Sequence, residues 1–195
     1  LGCVILGLIA SLLLSRLLLW HGDESGAENV VEAASALLDA CEGLPRRAAS
    51  VNYGQLLPDH GLMPEAVYLL NSLARAPHTP VAPLLERVLA RLEKGPRDWL
   101  DLRSGIYCYC ECFAYVAARR ADPGMLSLLR RVLRLPELNH ENENQLLQER
   151  QHMLRVTLLG TLHALGDEAG TRGLCAYLTD ARRPLALAAE MLLEQ

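Results

Sequence analysis

The segment Gly-Asp-Glu-x-Gly occurs twice in this chain, each time between two apolar runs of helical length. The copies are Gly22-Asp23-Glu24-Ser25-Gly26 and Gly166-Asp167-Glu168-Ala169-Gly170, 144 residues apart. A Leu-rich stretch precedes each and a shorter apolar stretch follows. Glycine ends a helix readily because it alone enters the left-handed region without strain, and aspartate caps the helix that comes next. The segment therefore reads as a helix-turn-helix corner. Asp23 and Asp167 read as turn and cap residues rather than as catalytic acids.

Between the two copies the pattern recurs in degenerate form. Glu65 to Arg75 leads through a Pro-bearing turn at 77–80 to Leu84-Leu85-Glu86-Arg87-Val88-Leu89. Glu111 to Arg119 leads through Asp122-Pro123-Gly124 to Leu128-Leu129-Arg130-Arg131-Val132-Leu133. The two Leu-Leu-x-Arg-Val-Leu blocks lie 44 residues apart, and Leu133 to Leu178 is 45. A period of about 40–47 residues built from helix pairs is that of HEAT and armadillo repeats. A lone hairpin cannot bury its apolar face, whereas stacked hairpins share one core. Leu and Ala dominate the composition, aromatics are 5%, and Phe occurs once. These proportions favour helix over strand.

The fold expected is all-α, a HEAT-like α-solenoid of about four hairpins within a single domain spanning 1–195. The hairpins are expected over 3–43 (3–20 with 26–43), 63–93 (63–76 with 79–93), 98–135 (98–121 with 123–135) and 144–179 (144–165 with 168–179). A closing helix is expected over 183–194. A chain that opens at Leu1 rather than Met reads as a piece of a longer protein. Two longer connections, 44–62 and 136–143, stand out. The first carries Asn52, Tyr53, Asp59 and His60, which are the candidate interaction residues, since long loops of solenoids often serve one face. The second contains Asn139-His140-Glu141-Asn142-Glu143-Asn144 and reads as an exposed loop.

Residues 1–20 are almost wholly apolar, and about 20 such residues would span a bilayer. Arg16 argues against a span, although a charge near a helix end can snorkel. Because the same turn follows at 166–168, where the preceding helix is no membrane span, residues 1–20 are read as the first buried repeat helix. A transmembrane helix anchoring a helical scaffold is the alternative. The formal charge of −4 gives no global attraction for a polyanion, so nucleic acid is not an expected partner. The Arg pairs at 46–47, 119–120, 130–131 and 182–183 read as solvated surface near helix ends.

Catalytic and metal signatures are not found. Cys108, Cys110 and Cys112 sit at i, i+2 and i+4 on an expected helix, so the three thiols cannot converge on one ion; they read as core packing. His152 and His163 are eleven residues apart, which on a helix is about 16 Å. No phosphate-binding loop, dinucleotide fingerprint, nucleophile elbow or zinc-protease motif is present. An enzyme using Asp59-His60 or the Cys cluster would need a pocket in which those side chains converge. The segment is thus expected to hold no metal and no cofactor of its own, and its expected partner is protein.

Several pieces in order carry a family resemblance. They are the turn His21 to Ala27, the pair Asn52-Tyr53, the helix entry Met63-Pro64, the turn Ala76-Pro77-His78-Thr79-Pro80, the helix start Pro83-Leu84-Leu85-Glu86-Arg87, and the tail Tyr177 to Gln195. Together the chain resembles the C-terminal helical-repeat region of certain large bacterial FAD-dependent oxidoreductases. Val51 stands where that group has Trp. The resemblance implies that FAD would be bound by an upstream Rossmann-type domain, with no flavin-contacting residue in this segment. It also implies a non-catalytic module that supports, covers or assembles the catalytic part.

Overall fold

The computed structural model describes residues 13–42, 70–94, 105–141 and 145–195; within it, the side chains of 37–42, 91, 105–108 and 147 are not described. The candidate residues Asn52, Tyr53, Asp59 and His60, and residues 1–12 of the apolar run, lie outside the described residues. The described chain is mostly helical and contains no strand. This matches the all-α expectation drawn from composition.

Residues 13–20 form α1. The chain then turns through a 3-10 segment, Glu24–Gly26, into α2, Ala27–Glu42. Residues 70–72 are helical and tighten into a 3-10 turn, Leu73–Arg75; together they are α3. Then follow α4, Ala82–Lys94, α5, Gly105–Arg120, α6, Leu126–Leu133, α7, Gln145–Ala164, α8, Glu168–Tyr177, and α9, Arg183–Leu193. Short 3-10 segments at Pro123–Met125 and Pro136–Leu138 lead into and away from α6.

One corner design recurs. At Gly22 and Gly166 the backbone turns left-handed, with φ of 82° and 81°. In the first, the Gly22 and Asp23 amides donate to the Leu19 and Leu18 carbonyls; in the second, Gly166 and Asp167 donate to His163 and Leu162. Both are Schellman closures, which satisfy the last carbonyls of a helix. The aspartate then caps the next element: Asp23 Oδ1 accepts from the Ser25 amide at 2.9 Å and Asp167 Oδ1 from Ala169 at 2.8 Å. A third corner uses Ala121, with φ 47°, before Asp122, whose Oδ1 accepts from the Gly124 amide at 2.8 Å. There the closure is the single bond from the Ala121 amide to the Ala117 carbonyl.

The last glycine of the segment has a separate task. A Cβ on Gly26 would lie 2.6 Å from Ser15 Cα, and one on Gly170 would lie 2.5 Å from the His163 nitrogen and 2.8 Å from the Leu159 oxygen. Ser15 precedes Gly26 by eleven residues, as Leu159 precedes Gly170. The two hairpins thus cross backbone against backbone at one shared register.

Among the described helices α4 packs on α2 and α6, α5 packs on α3 and α7, and α9 packs on α7 and α8. Leu19, Val30, Leu73, Leu85, Leu89, Phe113, Val116, Leu129 and Leu158 share one core, and Val156, Leu174, Tyr177, Leu185 and Ala189 form a second beneath α9. Cys110 and Cys112 are both buried although they project about 200° apart, because α5 is packed on several sides.

Candidate interaction surface

Within α1, Ser15 and Leu19 face inward, whereas Leu13, Leu14, Leu17 and Trp20 are each more than half exposed. The apolar sequence thus has a different cause from the one expected. It combines a core face with an equally apolar outer face, instead of burying residues 13–20 against helices on most sides. The helix is nonetheless held in the bundle. Asn29 Nδ2 donates to Ser15 Oγ at 3.2 Å, Arg16 Nε to Ser72 Oγ at 3.1 Å, and an Arg75 guanidinium N–H to the Trp20 carbonyl at 2.9 Å.

The outer face of α1, together with α3 and α5, forms an open groove of about 600 Å³. Its lining is Leu13, Arg16, Leu17, Trp20, Asn71, Ser72, Arg75 and Tyr115. The Arg75 guanidinium lies over the Trp20 ring, 3.9 Å from its centroid, so the indole is braced as a wall while remaining exposed. Tyr115 also borders a second hollow of about 440 Å³, which continues over α7 and ends at Leu192 and Gln195. The floor of that hollow includes Ala114, Ala118 and Gly160, small residues that let the surface dip. Glu111 and Arg150 pair across it at 3.1 Å.

The paired arginines do more than solvate helix ends. Arg120 donates to the carbonyls of Leu73, Ala76, Pro77 and Thr79, satisfying the end of α3 and the turn beyond it. Arg131 grips Glu93 through two bonds of 3.0 and 2.7 Å and also meets Glu86. Arg87, at the equivalent position 44 residues earlier, donates to Ser35 of α2 at 2.9 Å. Arg120 and Arg131 lie in the last turns of α5 and α6 as expected, but they also tie the fold together. Their long stems cross to a neighbouring hairpin, and linear spacing alone does not reveal where such a stem reaches.

At the α7–α8 end, His152 Nδ1 lies 2.9 Å from the Tyr177 hydroxyl and His163 Nδ1 lies 2.8 Å from Thr171 Oγ1. Burial, reinforced by Arg182, lowers the His152 pKa. Asp180 is held at about 2 by hydrogen bonds from Arg182. Arg155 donates to the Leu138 carbonyl and to Asn139 Oδ1. These groups are matched to partners across a packed interface. Among the described residues no group of His, Cys, Asp or Glu could hold a metal ion, and no helix is long and apolar enough to cross a membrane.

The chain matches no protein-family model, no curated protein and no solved structure.

Proposed function

We propose that this chain is a HEAT-like α-solenoid that acts as a non-catalytic interaction scaffold, presenting the outer face of α1, α3, α5 and α7 to another protein or to another domain of its own chain. The observation that carries the reading is the row of exposed Leu13, Leu17, Trp20, Tyr115 and Met153 along that face. An apolar patch of this kind on a packed protein marks an interaction site. The solenoid assignment is supported by the repeated corner, by the shared crossing register at Gly26 and Gly170, and by Arg87 and Arg131 each reaching back to the preceding hairpin. Membership of a FAD-dependent oxidoreductase rests on the sequence resemblance alone, with flavin placed in an upstream domain. The hydrogen bonds of Ser15, Arg16 and the Trp20 carbonyl to α2 and α3 favour a repeat helix over a free-standing anchor for 13–20.

Site-specific photo-crosslinking in cells tests the scaffold. A photoreactive residue at Leu17 or Tyr115 is expected to trap one defined protein, or one defined domain of the parent chain. The same residue at exposed Ala176 on α8 is expected to trap neither. Equal trapping at all three positions, or none at any, would contradict it.

A further inference from the structure

We propose that the groove bounded by α1, α3 and α5 docks an acidic amphipathic helix of a partner protein. This rests on the scaffold reading and specifies what the scaffold takes.

Charge supplies the first argument. The chain as a whole is −4, yet among the described residues the lining of the first hollow includes the cation Arg75 and no carboxylate. The second hollow adds Glu111, which Arg150 already balances. Arg75 forms no ion pair among the described residues; its contacts are the Trp20 carbonyl and ring. A guanidinium set against an aromatic wall in this way retains donors for a carboxylate arriving from outside.

Shape and composition supply the second. Two hollows share Tyr115 as a border, and each suits an apolar anchor. Packed helices are spaced about 8–10 Å, so the face from α1 to α7 is about 27 Å across, the length of about 18 helical residues. In a chain with two Trp and one Phe, the first hollow displays Trp20, Tyr115 and Arg75, the residue types that most often anchor protein interfaces. A second copy of the chain on a two-fold axis would instead bring the arginines of one groove toward those of the other.

Two fluorescein-labelled 18-residue peptides provide the test. They share Leu and Trp anchors at helical spacing and differ only in having Glu or Lys on the polar face. Each is titrated against the full chain by fluorescence anisotropy. The Glu peptide is expected to bind at least tenfold tighter than the Lys peptide, and to weaken as salt rises. Arg75→Glu is expected to abolish or invert that preference. Leu17→Gln, at a position already exposed, is expected to weaken the Glu peptide at least fivefold without changing the thermal midpoint. Equal affinity for both peptides, or binding of neither, would overturn the proposal. So would concentration-dependent dimerisation that Leu17→Gln removes, or binding to phosphatidylserine vesicles with no peptide preference. If crosslinks from Leu17 and Tyr115 still trap one protein while the Glu peptide shows no advantage, the scaffold stands and the acidic helix falls.

Discussion

Arg130 of α6 reaches across to Asp167, its Nε 2.6 Å from Oδ2, while the other carboxylate oxygen of Asp167 caps α8. One side chain thus serves a corner and a contact between hairpins. It is almost fully buried, whereas the arginine is half exposed. Asp167→Asn keeps a capping oxygen and removes the charge; Asp167→Ala removes both. Loss of the cap costs about 1 kcal/mol, and loss of the ion pair, screened by solvent around the half-exposed arginine, about as much at most. Urea denaturation should therefore rank wild type above Asp167→Asn above Asp167→Ala, with at most about 2 kcal/mol between first and last. Equal stability of wild type and Asp167→Asn would show that Arg130 adds nothing, and equal stability of the two variants would show that the cap adds nothing.

Ala121 occupies the left-handed corner position that Gly22 and Gly166 fill elsewhere. A side chain there costs about 1 kcal/mol relative to glycine. Ala121→Gly should raise stability by about that amount, and Gly166→Ala should lower it by about the same, as read from denaturation midpoints. A destabilised Ala121→Gly would mean that flexibility in the unfolded chain outweighs relief of strain.

Gly170 acts through space rather than through its own backbone angle. A methyl group there meets the backbone of His163 and Leu159, which cannot swing aside as a flexible side chain can. Gly170→Ala should cost about 2 kcal/mol by overpacking. Gly173→Ala, whose Cβ would meet the Leu159 side chain first, should cost less.

Acid should act in two stages. The His152 pKa is lowered in the fold from the usual 6.5, so the unfolded chain binds the extra proton. Stability therefore falls as pH drops through about 6.5, until His152 is also protonated in the fold. Asp180, at about 2 against a usual 3.8, and Asp167, also lowered, stabilise fully above their unfolded values. Their contribution disappears as pH falls from about 4 toward 2. Denaturation midpoints between pH 8 and pH 2 should show both steps, and His152→Gln should remove only the first.

The corners were legible because left-handed turns and caps depend on residue type at fixed offsets, as at Gly166 and Asp167. The helices were legible in existence, with differences at their ends. The second arm of the third hairpin, expected over 123–135, contains a helix only at Leu126–Leu133, because Pro123 and Pro136 start 3-10 segments on either side. The connection expected at 136–143 buries Glu137 and Leu138 before it becomes exposed at Asn139. The groove was not legible. It is assembled from three helices whose lining residues lie 40 or more positions apart in sequence, and hydropathy does not distinguish the inward Leu19 from the outward Leu17. The α1 periodicity held a signal, since Leu13, Leu17 and Trp20 recur at i, i+4 and i+7. The arginine ties were also invisible, because a stem as long as that of Arg120 links positions that only the fold brings together.

Stacking of hairpins, each stabilised by its neighbours, is tested most directly by native-state hydrogen exchange on the full chain and on Arg120→Gln. In a nearest-neighbour stack, removing the Arg120 bonds to the Leu73, Ala76, Pro77 and Thr79 carbonyls should lower protection in α3, α4 and α5. Amides of α8 and α9 should keep their wild-type rates. Uniform loss of protection from α1 to α9 would instead describe one cooperative globule and would contradict the repeat account.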